Sequence, residues 1–176
     1  VIALSTASAA SVTGLAFISP IILLIKNHYH VSSNEVQLTI TIYLVAICIS
    51  QIFWGPLSDL IGRRIVLIIG ASLFSLGGIL ASLNLAFEVF VFFRFLQGVG
   101  AAACLSMPRV MLTESYGVKK AAAKMSTLLA FMAIFPILSA AFGGYIGENY
   151  GWQTNFFTLF IFCLLYTSPS PRDKTV

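Results

Sequence analysis

The chain of 176 residues is 59% hydrophobic and only 9% charged, and its mean hydropathy is +0.96. A soluble domain needs more charged residues than this to cover its surface. The composition therefore excludes a soluble domain and predicts a helical membrane bundle. The net charge of +4 does not indicate nucleic-acid binding, because the basic residues lie between apolar runs and form no basic face with interleaved aromatics.

Six apolar runs predict six helices that cross a bilayer. We predict them over about 4–25, 36–54, 65–83, 89–113, 125–145 and 153–165. Residues 1–165 are therefore expected to form an all-α integral membrane bundle. Pro20 is expected to kink the first helix.

His28 and His30 form a His-x-His pattern between the first two predicted helices. The pattern leaves a metal or proton role and a solvated loop open, and it favours the loop. The three cysteines lie inside apolar runs without ligand-like spacing, which favours buried hydrophobes: Cys48, Cys104 and Cys163. No clustered catalytic chemistry lies at membrane depth, so the sequence predicts no metal, no cofactor and no enzyme activity.

Ten residues at 55–64, Gly-Pro-Leu-Ser-Asp-Leu-Ile-Gly-Arg-Arg, separate the second and third predicted helices. We expect Gly55 and Pro56 to end one helix and Gly62 to allow a close turn. Two arginines against one aspartate make this loop basic, which predicts a cytoplasmic position. Asp59 has no charge partner within the flanking helices as predicted, so we expect backbone donors or cations at the same surface.

This loop resembles the one between helices two and three of the major facilitator superfamily, Gly-x-Leu-Ala-Asp-Arg-x-Gly-Arg-Arg/Lys. Ser58 and Leu60 depart from that pattern. The resemblance implies a gating motif at the cytoplasmic face, whereas the alternative is a basic loop that only sets topology. The motif's residues are Gly55, Leu57, Asp59, Gly62, Arg63 and Arg64.

The fourth predicted helix carries Arg94-Phe-Leu-Gln-Gly-Val-Gly-Ala-Ala-Ala. Arg94 lies about five residues, roughly 7–8 Å, from the predicted helix start. Gln97 and Gly98 share its face. A buried arginine is costly unless it meets a cavity or a partner, and the alternative is a side chain that snorkels to the outer surface. The run resembles the superfamily pattern Arg-x-x-Gln-Gly-x-Gly-Ala-Ala, which implies proton coupling or substrate binding.

Glu114 follows the fourth predicted helix. The superfamily often carries an acid near this position that pairs with the basic end of the helix two–three loop. The resemblance therefore implies a gating ion pair with Arg63 or Arg64. A solvated loop acid is the alternative.

The fifth predicted helix carries Pro136, Gly143 and Gly144, where drug antiporters of the superfamily have a motif rich in glycine and proline. A plain proline-kinked helix is an equal alternative. Gly143 and Gly147 also form a Gly-x-x-x-Gly packing pair. Two positions depart from the motif, Ala133 and Ala140.

The chain most resembles the bicyclomycin-resistance (Bcr/CflA) branch, especially in Val36-Gln-Leu-Thr at the start of the second predicted helix and in Arg94 to Gly98. The resemblance implies half of a twelve-helix fold, drug efflux by proton antiport, and alternating access. That branch often has an acid where Ala16 stands, and no predicted span carries a deep carboxylate. A facilitative or a sugar or metabolite transporter therefore stays open, as does a non-transport six-helix scaffold.

The expected partners are the lipid bilayer, a small-molecule substrate, protons and a missing C-terminal six-helix half. Because basic residues gather on one side, both ends are expected in the cytoplasm of a bacterium, with the helices in its inner membrane. Residues 166–176 resemble a translated sequencing adapter. We interpret them as a non-native tail on a fragment, and we expect them to pack against nothing.

Overall fold

The computed structural model describes residues 2–167, with side chains described for residues 4–117 and 120–161. The first four helices are α1 (Ile2–Ala16), α2 (Ile18–Tyr29), α3 (Ser33–Ile61) and α4 (Arg63–Ser82). A longer helical run, Phe87–Tyr150, has non-helical backbone at Gly117 (φ 68°, ψ 158°). This break separates α5 (Phe87–Gly117) from α6 (Lys120–Tyr150), and α7 (Gln153–Thr167) follows.

The described residues contain helices and no strand, as the composition predicts. Four helices are long and apolar enough to cross a membrane, namely α3, α4, α5 and α6. The pair α1–α2 counts as a fifth span if the bent pair crosses as one. The sixth predicted helix corresponds to α7, of 15 residues. The prediction that the tail packs against nothing concerns mainly residues 168–176, which lie outside the described residues.

The first predicted helix bends by 43° between α1 and α2. Pro20 has no N–H to donate to the carbonyl of Ala16, and its ring crowds that carbonyl. The backbone N–H of Phe17 still donates to the carbonyl of Thr13 at 2.9 Å. The predicted kink is therefore present, one turn before the proline that causes it.

The predicted ten-residue loop is wrong in extent. Helix α3 continues through Gly55 and Pro56, and α4 begins at Arg63, so Gly62 alone lies between the two helices. A proline within a helix removes one backbone hydrogen bond without always ending the helix. Gly62 reverses the chain at φ 95°, a conformation that residues with side chains rarely adopt. The other helices also extend beyond their apolar runs, since polar residues can stay helical outside the hydrocarbon.

Helix α5 lies at the centre, close to the backbones of α3 and α4. A Cβ atom on Gly100 would overlap the backbone nitrogen of Phe74 and the carbonyl oxygen of Gly70. A Cβ atom on Gly98 would lie 2.6 Å from the carbonyl oxygen of Tyr43 and 2.8 Å from the Cβ of Ala46. Small residues allow this close approach, which is typical of packing between membrane helices.

Helix α6 packs on α2 through the predicted glycine pair. A Cβ atom on Gly143 would lie 2.5 Å from the ring of Phe17, and one on Gly147 would overlap the side chain of Ile21. The Gly-x-x-x-Gly prediction is thus confirmed. Asn155 of α7 donates from Nδ2 to the carbonyl of Gly143 at 2.9 Å, which ties α7 to the same contact.

An aromatic cluster marks the end of the bundle opposite the α3–α4 turn. The rings of His28 and Trp152 lie 5.5 Å apart, and those of Phe90 and Trp152 lie 5.7 Å apart. Both His28 and His30 are exposed. Within the part of the chain that the structure describes, no three potential ligands group around a metal site. The exposure of both side chains agrees with the solvated interpretation, although His28 lies in the last turn of α2 and not in a loop.

Candidate functional site

A first cluster surrounds Arg63 at the α3–α4 turn. Its Nη2 pairs with the carboxylate of Asp59, four residues earlier on the other side of the Gly62 turn. Its Nε and Nη2 each lie 3.2 Å from Oε1 of Glu114. The expected ion pair of Glu114 with Arg63 is present. Arg63 also pairs with Asp59, for which we expected a cation at the same surface. One guanidinium therefore joins α3, α4 and α5, while Arg64 is exposed.

This cluster is held by contacts that water can reach. The Asp59 and Glu114 side chains are 63% and 53% exposed. Exposed ion pairs contribute little to the free energy of unfolding, because water screens them and ordering the side chains costs entropy. The cluster can therefore open and re-form at low cost without loosening the bundle.

Ser58 is a functional candidate that sequence reasoning treated only as a departure from the superfamily pattern. Its side chain is buried at the turn, where Oγ donates to the carbonyl of Gly55 at 2.7 Å and accepts from Nη1 of Arg63. An alanine there could not accept this bond. Ser58 thus holds the Arg63 side chain from the α3 side. The sequence did offer a signal for this role, because Ser58 places a hydroxyl where the superfamily pattern has alanine.

The second cluster surrounds Arg94, which is fully buried. The residue lies seven positions after Phe87, so about 10 Å into α5, deeper than expected because the helix begins earlier than predicted. Nη1 donates to Oε1 of Gln97 and to the carbonyl of Gly14, the latter at 3.4 Å. With no exposed surface, the side chain does not reach the outer surface. The snorkelling alternative is wrong.

The other predicted residues of this face lie in the same cluster. Gln97 is fully buried against α4, where a Cβ atom on Gly77 would lie 2.8 Å from the Gln97 nitrogen. Gly98 is also buried and lets α3 approach. The small and polar face of α5 therefore points into the bundle, as its periodicity predicts.

Tyr43 is the member of the cluster that sequence reasoning missed. Its ring centre lies 4.4 Å from the guanidinium carbon of Arg94, and its hydroxyl donates to the carbonyl of Ser11 at 2.6 Å. A lone tyrosine in an apolar helix was a signal, because a buried tyrosine hydroxyl usually needs a partner. The pairing itself depends on how α3 docks, which periodicity does not give.

The helix-five motif lies elsewhere in the bundle. Gly143 contacts Phe17, and a Cβ atom on Gly144 would lie 3.5 Å from Cβ of Pro20. Pro136 is partly buried within α6, and its carbonyl accepts from the hydroxyl of Ser139 at 2.9 Å. The contacts described for these residues are with Phe17 and α2, with α7 and within α6, and not with Arg94.

A family model of the Major Facilitator Superfamily matches residues 4–168, almost the whole chain. This chain belongs to the major facilitator superfamily. It is thus a multi-pass membrane protein of a transporter family, not of an enzyme family.

Among curated proteins, the chain is similar to the multidrug resistance protein MdtL of several bacteria. It is 31% identical to that of Escherichia coli O81 (strain ED1a) over 130 residues, which cover 74% of this chain and 33% of the relative. It is 28% identical to that of Klebsiella pneumoniae (strain 342) over 154 residues, covering 82% and 39%. The chain thus spans well under half of these relatives. Their name, multidrug resistance protein, agrees with the bicyclomycin-resistance branch that the sequence resembles.

Two solved structures share the fold. A proton:xylose symporter, XylE, bound to 6-bromo-6-deoxy-D-glucose superposes with a TM-score of 0.85 at 17% identity, covering 94% of this chain and 42% of that one. A D-xylose-proton symporter superposes with a TM-score of 0.84 at 18% identity, covering 99% and 49%. At such identities the likeness shows the fold alone.

Proposed function

We propose that this chain is the N-terminal six-helix half of a twelve-helix transporter, which exports drugs or related small molecules in exchange for protons. Membership of the superfamily and similarity to multidrug resistance proteins support this proposal. The observation that carries it is the fully buried Arg94 inside a membrane bundle. A buried cation in a membrane helix is costly and usually marks a substrate or proton path.

The two clusters have separate roles in the proposed cycle. The Arg63 cluster closes the cytoplasmic side while the site faces outward, because it ties the α3–α4 turn to the end of α5. The Arg94 cluster lies inside the bundle and responds to substrate or to a protonated acid on a facing helix. Alternating access then rocks one six-helix half against the other.

A facilitative exporter is the second candidate, and one observation favours it. The described acids all lie within about one turn of a helix end, so none serves as a proton carrier at membrane depth. Proton coupling therefore needs an acid from the other half. The described acids are Glu35, Asp59, Glu88, Glu114 and Glu148.

We expect the Asp59→Asn variant of the full-length transporter to lose most of its export while inserting normally. The substitution removes one of the two carboxylate charges that hold Arg63, but exposed ion pairs contribute little to folding. Drug efflux from loaded cells at matched expression measures this effect. The control is Glu148→Gln, which removes an exposed acid at the opposite end and should export normally. Full export by Asp59→Asn would contradict a gating role.

Single cysteines test the proposed topology in the plasma membrane, in a background without native cysteines. We expect Lys120→Cys to react with an impermeant thiol reagent only after the cells are opened, since basic loops stay in the cytoplasm. His28→Cys should react in intact cells, because His28 is exposed at the opposite end. Reaction of Lys120→Cys in intact cells would reverse the assignment.

A further inference from the structure

The guanidinium of Arg94 is buried without a carboxylate. Among the residues with described side chains, the ion pairs involve Arg63 and not Arg94. An isolated cation at this depth needs compensation from dipoles, from hydrogen bonds or from aromatic faces. The groups that compensate the charge of Arg94 also fix the position of its guanidinium.

The hydrogen bonds to Arg94 occupy one corner of the guanidinium. Nη1 donates to both Gln97 and the carbonyl of Gly14, whereas Nε and Nη2 have no hydrogen-bond partner. Nε and Nη2 form the side-on fork that matches the two oxygens of a carboxylate. The two nitrogens that could bind an acceptor together are thus without a hydrogen-bond partner, while Nη1 is already bonded.

The face of the guanidinium is covered by aromatic rings. Tyr43 lies 4.4 Å from its carbon, well within the range of a cation–π contact, and Phe156 lies at 6.0 Å, near the limit of that range. Tyr43 is therefore the main aromatic contact, and it compensates the charge without using the fork.

Tyr43 is itself held in place from two helices. Its hydroxyl donates to the carbonyl of Ser11 in α1, and its backbone lies against Gly98 of α5, where even a methyl group would not fit. The ring is fully buried. A ring fixed in this way holds the guanidinium at one angle to α5.

We infer that Tyr43 is the positioning residue for Arg94: it holds the guanidinium by its face, in place of a carboxylate, so that the Nε–Nη2 fork stays available to an acceptor during transport. This inference rests on the proposed export function. It predicts that the aromatic ring, rather than the hydroxyl, carries the effect.

The test compares Tyr43→Phe, Tyr43→Leu and the control Phe74→Leu in the full-length transporter. Phe74 is an equally buried aromatic that packs against Gly14 and Gly100, and it has no described contact with the guanidinium. We expect Tyr43→Leu to lower the maximal export rate about tenfold and to change its pH profile, because a desolvated cation–π contact is lost. Tyr43→Phe should keep most of the rate, and Phe74→Leu should keep the wild-type pH profile. Equal impairment by Tyr43→Phe and Tyr43→Leu would overturn the inference.

A thermal-unfolding cycle on the purified transporter separates this inference from the proposed function, because it needs no substrate. The cycle combines Tyr43→Leu with Arg94→Ala. If Tyr43 acts on Arg94, the change in Tm of the double variant differs from the sum of the two single changes. Additive losses would overturn the inference even where export is normal. Coupled losses in a protein that exports nothing would support the contact while the proposed export function fails.

Discussion

Replacing Arg94 with alanine is expected to lower export by the full-length transporter about 100-fold, since an acceptor that the Nε–Nη2 fork binds during transport would lose charge-assisted hydrogen bonds worth roughly 3 kcal/mol. The amount of protein in the membrane should not fall. Removing a buried charge also removes its desolvation cost, so folding has little to lose. Initial rates of drug efflux, normalised to transporter in the membrane, measure the effect.

The Arg94→Lys variant separates charge from shape. Lysine keeps the positive charge, but it has no planar fork and stacks poorly on Tyr43, so we expect it to be nearly as impaired as alanine. Near-normal export by the lysine variant would mean that charge alone suffices. The control is Arg64→Lys, at an exposed arginine with no described ion pair, which should export normally.

Replacing Gly100 with alanine is expected to lower the free energy of unfolding by about 3 kcal/mol and to reduce the protein in the membrane, because overpacking a core strains its neighbours. The added Cβ would meet the backbone of Phe74 and Gly70, and a backbone cannot rotate away as a flexible side chain can. Unfolding in detergent, followed by circular dichroism, gives the change.

The matched control for Gly100 is Gly55→Ala. Gly55 also lies in a helix, but a Cβ atom there would have nothing within 4 Å. Its replacement should stabilise the helix slightly, since glycine loses more backbone entropy on folding than alanine. If Gly100→Ala were as stable as Gly55→Ala, the close approach of α4 and α5 would be refuted.

The sequence predicts the membrane bundle and some of its helix contacts for definable reasons. Runs of apolar residues require helices in a bilayer, and periodicity alone places Arg94 and Gln97 on one face. The Gly143–Gly147 pair was visible because small residues at this spacing admit a neighbouring helix. Such signals are local along the chain.

Other features could not be predicted because they depend on docking or on backbone geometry. The turn at Gly62 is one residue long because α3 runs on through Pro56, and no local pattern separates a proline that ends a helix from one that the helix tolerates. The stack of Tyr43 on Arg94 joins residues of α3 and α5, whose relative rotation is set by packing. Ser58 carries a role only because Arg63 turns back toward it.

The most direct test of proton-coupled drug export uses inverted vesicles that contain the full-length transporter and a pH-sensitive dye. Once respiration has acidified the lumen, adding a transported drug should release protons and restore the dye signal. The Arg94→Ala variant should give no response at equal expression. This is the predicted result. If no drug of a chemically varied panel changes the signal, and labelled drug does not accumulate in wild-type vesicles, the account is contradicted.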